Sequence, residues 1–215
     1  MQQNRGERAN EIHQQCNDTP VRDFWSDNPV YGAFAITRPF RYADWGMLDS
    51  WGGYGSQPTY YNYGENVYYQ DGAVYNGDQQ VATEEEYAQQ AETLAMSAPD
   101  ATAQDSEWMS LGVFALTQDG EASGAAPTLF LQLVLSKQGV VSGTFENTTS
   151  GVSQTLEGMV DKENQRAAWG VEGKQRPIIE TGISNLTQDT APALIHFADG
   201  QTQQWLLVRL EDPQQ

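Results

Sequence analysis

The sequence predicts a mainly β protein, α+β overall, on three observations. After residue 108 come about eight short apolar runs separated by turn residues. Before them, residues 58–92 pass from strand chemistry to helix chemistry across one threonine. Residues 1–57 are rich in rings but have no regular period. The expected organisation is therefore an aromatic-rich, irregular arm over 1–57, a Tyr-rich hairpin and helix over 58–98, and an antiparallel meander over 108–211, closed as a barrel or stacked as a sandwich.

In the arm, residues 5–15 read as a short polar helix. Pro20, Pro29 and Pro39 interrupt the chain beyond it. Phe24, Trp25, Tyr31, Phe34, Phe40, Tyr42, Trp45, Trp51 and Tyr54 supply large apolar area, and WGGYGSQP from Trp51 reads as a Gly-aromatic loop. So much ring area with so little regular structure leads us to expect residues 20–57 to pack on a neighbouring chain or domain. The simpler arrangement is a wrap around the chain's own core.

In the second segment, Val67, Tyr68 and Tyr69 favour a strand, and Asp71-Gly72 is a hairpin turn. Val74 and Tyr75 begin the return, and Asn76-Gly77 offers a second turn. Thr83 and Glu86 form a capping box, with acids at the positive end of the helix dipole. Tyr87, Ala88, Ala91, Leu94 and Ala95 make a narrow apolar stripe suited to close packing on a sheet, most simply the Tyr hairpin. Pro99 stops the helix. Ser97–Glu107 is small, polar and acidic, and reads as a linker.

The strands expected beyond it are 111–117, 128–136, 140–147, 154–161, 166–171, 178–183, 193–197 and 204–210. Gly143 marks a bulge or a close backbone approach. If the meander is a barrel with a ligand inside, Arg166, Trp169 and Arg176 line its mouth. The alternative is that Trp169 and Trp205 fill it.

Composition narrows the function. The chain has 215 residues, with 29 acids against 11 basic residues and a net charge of −18. That sign disfavours nucleic acid and anionic membranes as partners. No Lys or Arg occurs between Arg41 and Lys137. One cysteine, Cys16, excludes an intrachain disulfide. No apolar run approaches the ~20 residues of a membrane-spanning helix. The first fifteen or so residues lack the apolar core of a signal peptide.

Catalytic and metal signals are sparse. The two His and one Cys are too far apart for a zinc spacing. P-loop, dinucleotide and nucleophile-elbow motifs are absent, as is a D-x-[DN]-x-[DN]-G calcium loop. We therefore expect no cofactor, no metal and no assigned catalytic residue. His196, in ALIHFADG, reads as a structural hydrogen-bonder or, in the rival reading, as the base of an unrecognised hydrolase. The candidate binding residues are aromatic: Tyr60, Tyr61, Tyr63, Tyr68, Tyr69, Trp45, Trp51 and Tyr54.

PTYYNYGENVYYQDGAVYNGDQQVATEEEYAQQAE, SLGVFALTQDGEASGAAPTLFLQLVLSKQGVVSGTFEN and the tract from EGMVDKENQ to QTQQWLLVRLE, spanning roughly 58–211, resemble a family of planctomycete proteins. These are labelled cell-surface or mu-protocadherin-like proteins. The resemblance implies export, to the surface or periplasm, with a leader absent from this chain. It implies a structural or protein-binding role through a protein partner or self-association, with an envelope polysaccharide as the second partner class. It carries no catalytic residues. The spaced acidic motifs of cadherin repeats are missing here. A ligand-binding β-barrel or a hydrolase is the alternative.

Overall fold

A computed structural model describes residues 2–16, 30–31, 34–35, 42–99, 107–120 and 122–211, with 30–31 and 34–35 described as backbone only. The elements run α1 (Gln2–Cys16), β1 (Val30–Tyr31), β2 (Phe34–Ala35), α2 (Trp45–Gly52), β3 (Val67–Gln70), β4 (Ala73–Asn76), β5 (Gln79–Thr83) and α3 (Glu84–Ala95). Eight strands come after them: β6 (Trp108–Gln118), β7 (Leu129–Ser136), β8 (Val140–Asn147), β9 (Val152–Asp161), β10 (Arg166–Val171), β11 (Ile178–Gly182), β12 (Thr190–His196) and β13 (Thr202–Arg209). Phe24, Trp25 and Phe40 lie outside the described residues, as does most of the expected linker.

The meander closes as a barrel, not a sandwich. Each strand from β6 to β13 pairs antiparallel with its sequence neighbour, and β13 returns to β6 through Leu207↔Leu116. Alternation then divides every strand in two. Leu131, Leu133, Leu135, Leu156, Trp169, Ile179, Ile195 and Leu207 point inward and form one buried core. The reading in which Trp169 fills the barrel is the one observed, since its side chain is fully buried.

Two glycines set how closely the strands meet. A Cβ at Gly143 would lie 1.8 Å from the Gln132 carbonyl oxygen, so the close approach expected there is real. A Cβ at Gly158 would lie 2.1 Å from the Ala168 oxygen and 2.5 Å from Trp169 Cα.

The outward faces of the barrel are also apolar in places, and three elements cover them. α1 lays Ala9, Ile12 and Cys16 on Val113, Phe130, Leu206 and Val208. The sheet β3-β4-β5 lays Val67, Val74 and Ala82 toward Leu194. α3 lays Ala91 and Ala95 on Ala168 and Ile178. The stripe of small residues on α3 thus packs chiefly against the barrel wall rather than the hairpin. Alanine is small enough to let helix and wall approach closely.

Residues 1–57 are less irregular than expected. α1 is a full helix. Its covered face includes two arginines, which hide its period from a hydrophobicity reading. Arg5 pairs with Asp119, with Nε to Oδ1 at 2.9 Å, and Arg8 donates to the carbonyls of Gly124 and Ala125. α2 starts at Asp44, whose carboxylate accepts the Met47 N–H at 2.8 Å, and stops at Gly53 with φ 71°. Of the expected Gly-aromatic loop, Trp51 and Gly52 are therefore helix and residues 53–58 are loop. α2 sets Leu48, Trp45 and Trp51 against the barrel core of the same chain. For residues 45–54 the aromatic area thus packs on the barrel of the same chain.

The hairpin is as read, with one more strand. Asp71 and Gly72 have φ of 51° and 76°, as a type I′ turn requires. Asn76-Gly77 turns the chain again and adds β5. The capping box is complete, with Glu86 N–H to Thr83 Oγ1 at 3.2 Å and Thr83 N–H to Glu86 Oε2 at 2.9 Å. Hydrogen bonds from the Thr83 backbone, then its hydroxyl, hold the Glu86 carboxyl below its ordinary value.

Thr83→Ala should lower stability by about 1 kcal/mol in urea unfolding, because one amide loses its cap; an unchanged midpoint removes the cap from the account. Gly158→Ala should lower it by about 1–3 kcal/mol, because the methyl group has no space against β10. Wild-type stability for that variant would mean the two strands can separate freely.

Candidate functional site

Ionisable residues on buried strands locate the most unusual chemistry. Glu180 sits in IIETG on β11, Arg166 opens RAAWGV on β10, and His196 ends β12. The register places all three on the outer wall of the barrel, because their neighbours Ile179, Ala167 and Ile195 point inward. The Tyr-rich sheet and α3 then cover them. Glu180 and His196 are fully buried.

Arg166 holds one carboxylate oxygen of Glu180, and His196 Nε2 lies 3.2 Å from the other. That second contact is close but poorly aligned for a straight hydrogen bond. His196 Nδ1 meets the hydroxyl of Thr202 at 2.9 Å. Arg166 also reaches α3. Its Nη2 donates to the Tyr87 carbonyl at 2.9 Å, its Nη1 to Gln90 Oε1 at 3.2 Å, and its guanidinium lies 3.8 Å from the centre of the Tyr87 ring. Burial pushes against the Arg166 charge, and the Glu180 carboxylate overrides it, so its pKa rises above the ordinary value.

Four tyrosines enclose this pair. Burial pushes the Tyr61 hydroxyl up to about 12. It also raises those of Tyr63, Tyr69 and Tyr87, and the Glu180 charge adds to each. Tyr61 is pinned from both sides. Its N–H and carbonyl pair with the Asn185 amide at 2.9 and 3.0 Å, and its hydroxyl donates to the Asn164 carbonyl at 2.7 Å. Gln165 donates to the carbonyls of Tyr54 and Gln57, both at 2.9 Å, and accepts the Thr59 N–H at 2.6 Å. Residues 54–61 are thus strapped across one end of the barrel.

The eight aromatic candidates do not form one site. Tyr54, Tyr61 and Tyr63 are core residues, at 3, 7 and 0 % exposure. Tyr69 packs edge-on to Tyr87, ring centres 6.4 Å apart. Trp45 and Trp51 are half-buried against the barrel core, and Trp51 donates to the Leu135 carbonyl at 3.3 Å. Of the eight only Tyr60 is exposed, and Tyr68 is half-buried. Tyr68 stacks on its cross-strand partner Tyr75, centres 5.4 Å apart and planes within 10°. Sequence reasoning missed Tyr75, Glu180 and Thr202. A glutamate inside the run IIETGI was the available signal, since a charge there must find a partner.

The expected mouth is also redrawn. Arg166 lies on the outer wall, Trp169 lies in the barrel interior, and Arg176 pairs with Glu92 of α3 while donating to the Phe197 carbonyl. Strand alternation puts Arg166 outside because it is an odd number of residues from Trp169. Among the described residues, no group of three or more His, Cys, Asp or Glu could hold a metal ion. No helix among them is long and apolar enough to cross a membrane. No family model, curated protein or solved structure matches this chain.

The buried tyrosines set a pH dependence. Their folded-state pKa values lie above the unfolded value of about 10. The stability they contribute is therefore complete below about pH 10 and falls as pH rises toward 12 and beyond. Phenolate absorbance of these four should appear only together with loss of the β-sheet circular dichroism signal. Their ionisation in a still-folded chain would contradict the sealed seam.

Proposed function

We propose that this chain is a non-enzymatic structural and protein-binding module of a cell surface or envelope. One observation carries the reading. The groups able to do acid–base chemistry, Glu180 and His196, are fully buried, with Glu180 tied to Arg166, while a half-buried aromatic stack, Tyr68 on Tyr75, lies on the sheet face turned away from the barrel. Buried ions hold a structure in one arrangement, whereas tyrosines at a surface are efficient contact residues. The β4 segment and its flanks hold no basic residue, since none occurs from 42 to 136. A partner meeting this face would be uncharged or basic. An uncharged envelope polysaccharide fits through stacking on the tyrosine faces, and a second copy of the chain would associate through ring-on-ring contact that has to outweigh its like charge.

A second reading rests on its own observation. Thr202, His196 and Glu180 form a chain of contacts at 2.9 and 3.2 Å, the order of nucleophile, base and orienting acid. Against it, Arg166 already holds Glu180.

The test measures both. Light scattering and glycan binding should respond to the double variant Tyr68→Ala, Tyr75→Ala, with assembly or binding weakened about tenfold or more. A screen on ester, glycoside, peptide and phosphate substrates should give no turnover. Turnover lost in Thr202→Val and His196→Ala variants that still fold would replace the first reading with the second.

A further inference from the structure

α3 covers the outer wall of the barrel only as far as its last turn, where Ala91 and Ala95 lie on Ala168 of β10 and Ile178 of β11. The next outward position on β10 is Gly170, paired with Glu157 on one side and Ile178 on the other. It has no side chain, and the helix has ended. A cleft of about 280 Å³ is left between the end of α3, β9 and the turn 172–175. Gly170 is its floor. A Cβ there would lie 2.9 Å from Ile178 Cδ1 and 3.2 Å from the Pro177 carbonyl oxygen.

Two kinds of group meet in this cleft. Met96, 58 % exposed, and Ile178 supply apolar contact. The polar groups are mostly acceptors. Met96 N–H donates to the Glu92 carbonyl at 3.0 Å and Ser97 N–H to that of Leu94 at 3.1 Å, so the Ala95 carbonyl has no donor among the described residues. Carbonyls of a final helical turn carry the negative end of the helix dipole. α3 has no basic residue in its last turn to balance it. Glu157 and Glu172 add two carboxylates, against one basic residue, Lys174, among the described lining. We propose that this cleft binds a primary alkylammonium group. It shares no residue with the Tyr68–Tyr75 face and does not depend on how that face is used.

An alkylammonium answers both kinds of group. Glu157, Glu172 and the helix end favour its charge, and its N–H groups donate to carbonyl and carboxylate oxygens. Its alkyl stem lies along Met96 and Ile178, the usual combination of apolar lining and a few polar groups. A carboxylate or phosphate would meet Lys174 with two like charges beside it. The cleft sits at the small end of the ~300–1,000 Å³ usual for ligand sites, which suits a body of a few carbons.

Titration of n-butylammonium into the whole, nitrogen-15-labelled chain tests the assignment. Saturable amide shifts at Met96, Gly170 and Gly173 are expected at about millimolar concentration, as a ligand of this size allows. Butyltrimethylammonium, of equal charge but without N–H groups, should bind about tenfold more weakly, as should n-butanol. The quaternary ion separates this cleft from loose attraction of any cation to a chain of net charge −18. Glu172→Gln, on the exposed turn, should weaken binding about threefold, and Lys174→Gln should tighten it by a similar factor. Gly170→Ala, which puts a methyl group on the floor, should weaken it about tenfold. Circular dichroism checks that Gly170→Ala folds, and the two turn variants decide the matter if it does not. Equal binding of the primary and quaternary ions, shifts that never saturate, turn variants without effect, or preference for butyrate overturns the proposal.

Discussion

Closing β13 onto β6 is the constraint on which the rest of this structure depends. A closed barrel has no free edge, so every strand is paired on both sides and its side chains must alternate between inside and outside. The inward set is apolar and fills the interior. The outward set is also apolar at Val113, Phe130, Ala168, Ile178, Leu194, Leu206 and Val208. Water cannot be left against so much of that wall without loss of hydrophobic stabilisation. α1, α3 and the three-stranded sheet are the elements that remove it.

The arginines show how this cover is held. Arg5, Arg8, Arg166 and Arg209 are all buried, four of the 11 basic residues in the chain. Each joins a covering or closing segment to the barrel. Arg209 does so through carbonyls, donating to Leu111, Leu186 and Gln188, and burial lowers its pKa to about 10. Arg166 does so by donating to Tyr87 and Gln90 of α3, while Glu180 on the neighbouring barrel strand balances its charge. Taking a guanidinium and a carboxylate from water is costly, and removing either partner alone would cost about 3–5 kcal/mol. Using basic residues inside leaves the acids outside even less balanced than the net charge of −18 suggests. That surface favours uncharged or basic partners over nucleic acid or anionic lipid.

The proposed roles fall on different parts of the same scaffold. The seam around Glu180 is rigid and closed. The Tyr68–Tyr75 stack is displayed by a short sheet whose other face is anchored in that seam. A packed interior serves that outer face, since it holds the rings without rearrangement on binding.

Local chemistry was readable without the tertiary structure. Asp71-Gly72 demanded positive φ, Thr83 and Glu86 formed their capping box, and turn residues bounded each barrel strand, because these signals depend on neighbours within a few positions. The tyrosines were a different matter. Tyr61 and Tyr63 look like Tyr60 in sequence, and only the packing on the barrel separates the buried rings from the exposed one. The helix α1 was legible over 5–15, but its packing face was hidden because that face carries Arg5 and Arg8, whose partners Asp119, Gly124 and Ala125 lie more than a hundred residues away. The site around Glu180 was hidden for the same reason. Strand alternation is written in the sequence, but which side of each strand faces the barrel interior, and what covers the other side, is decided by closure and by long-range burial.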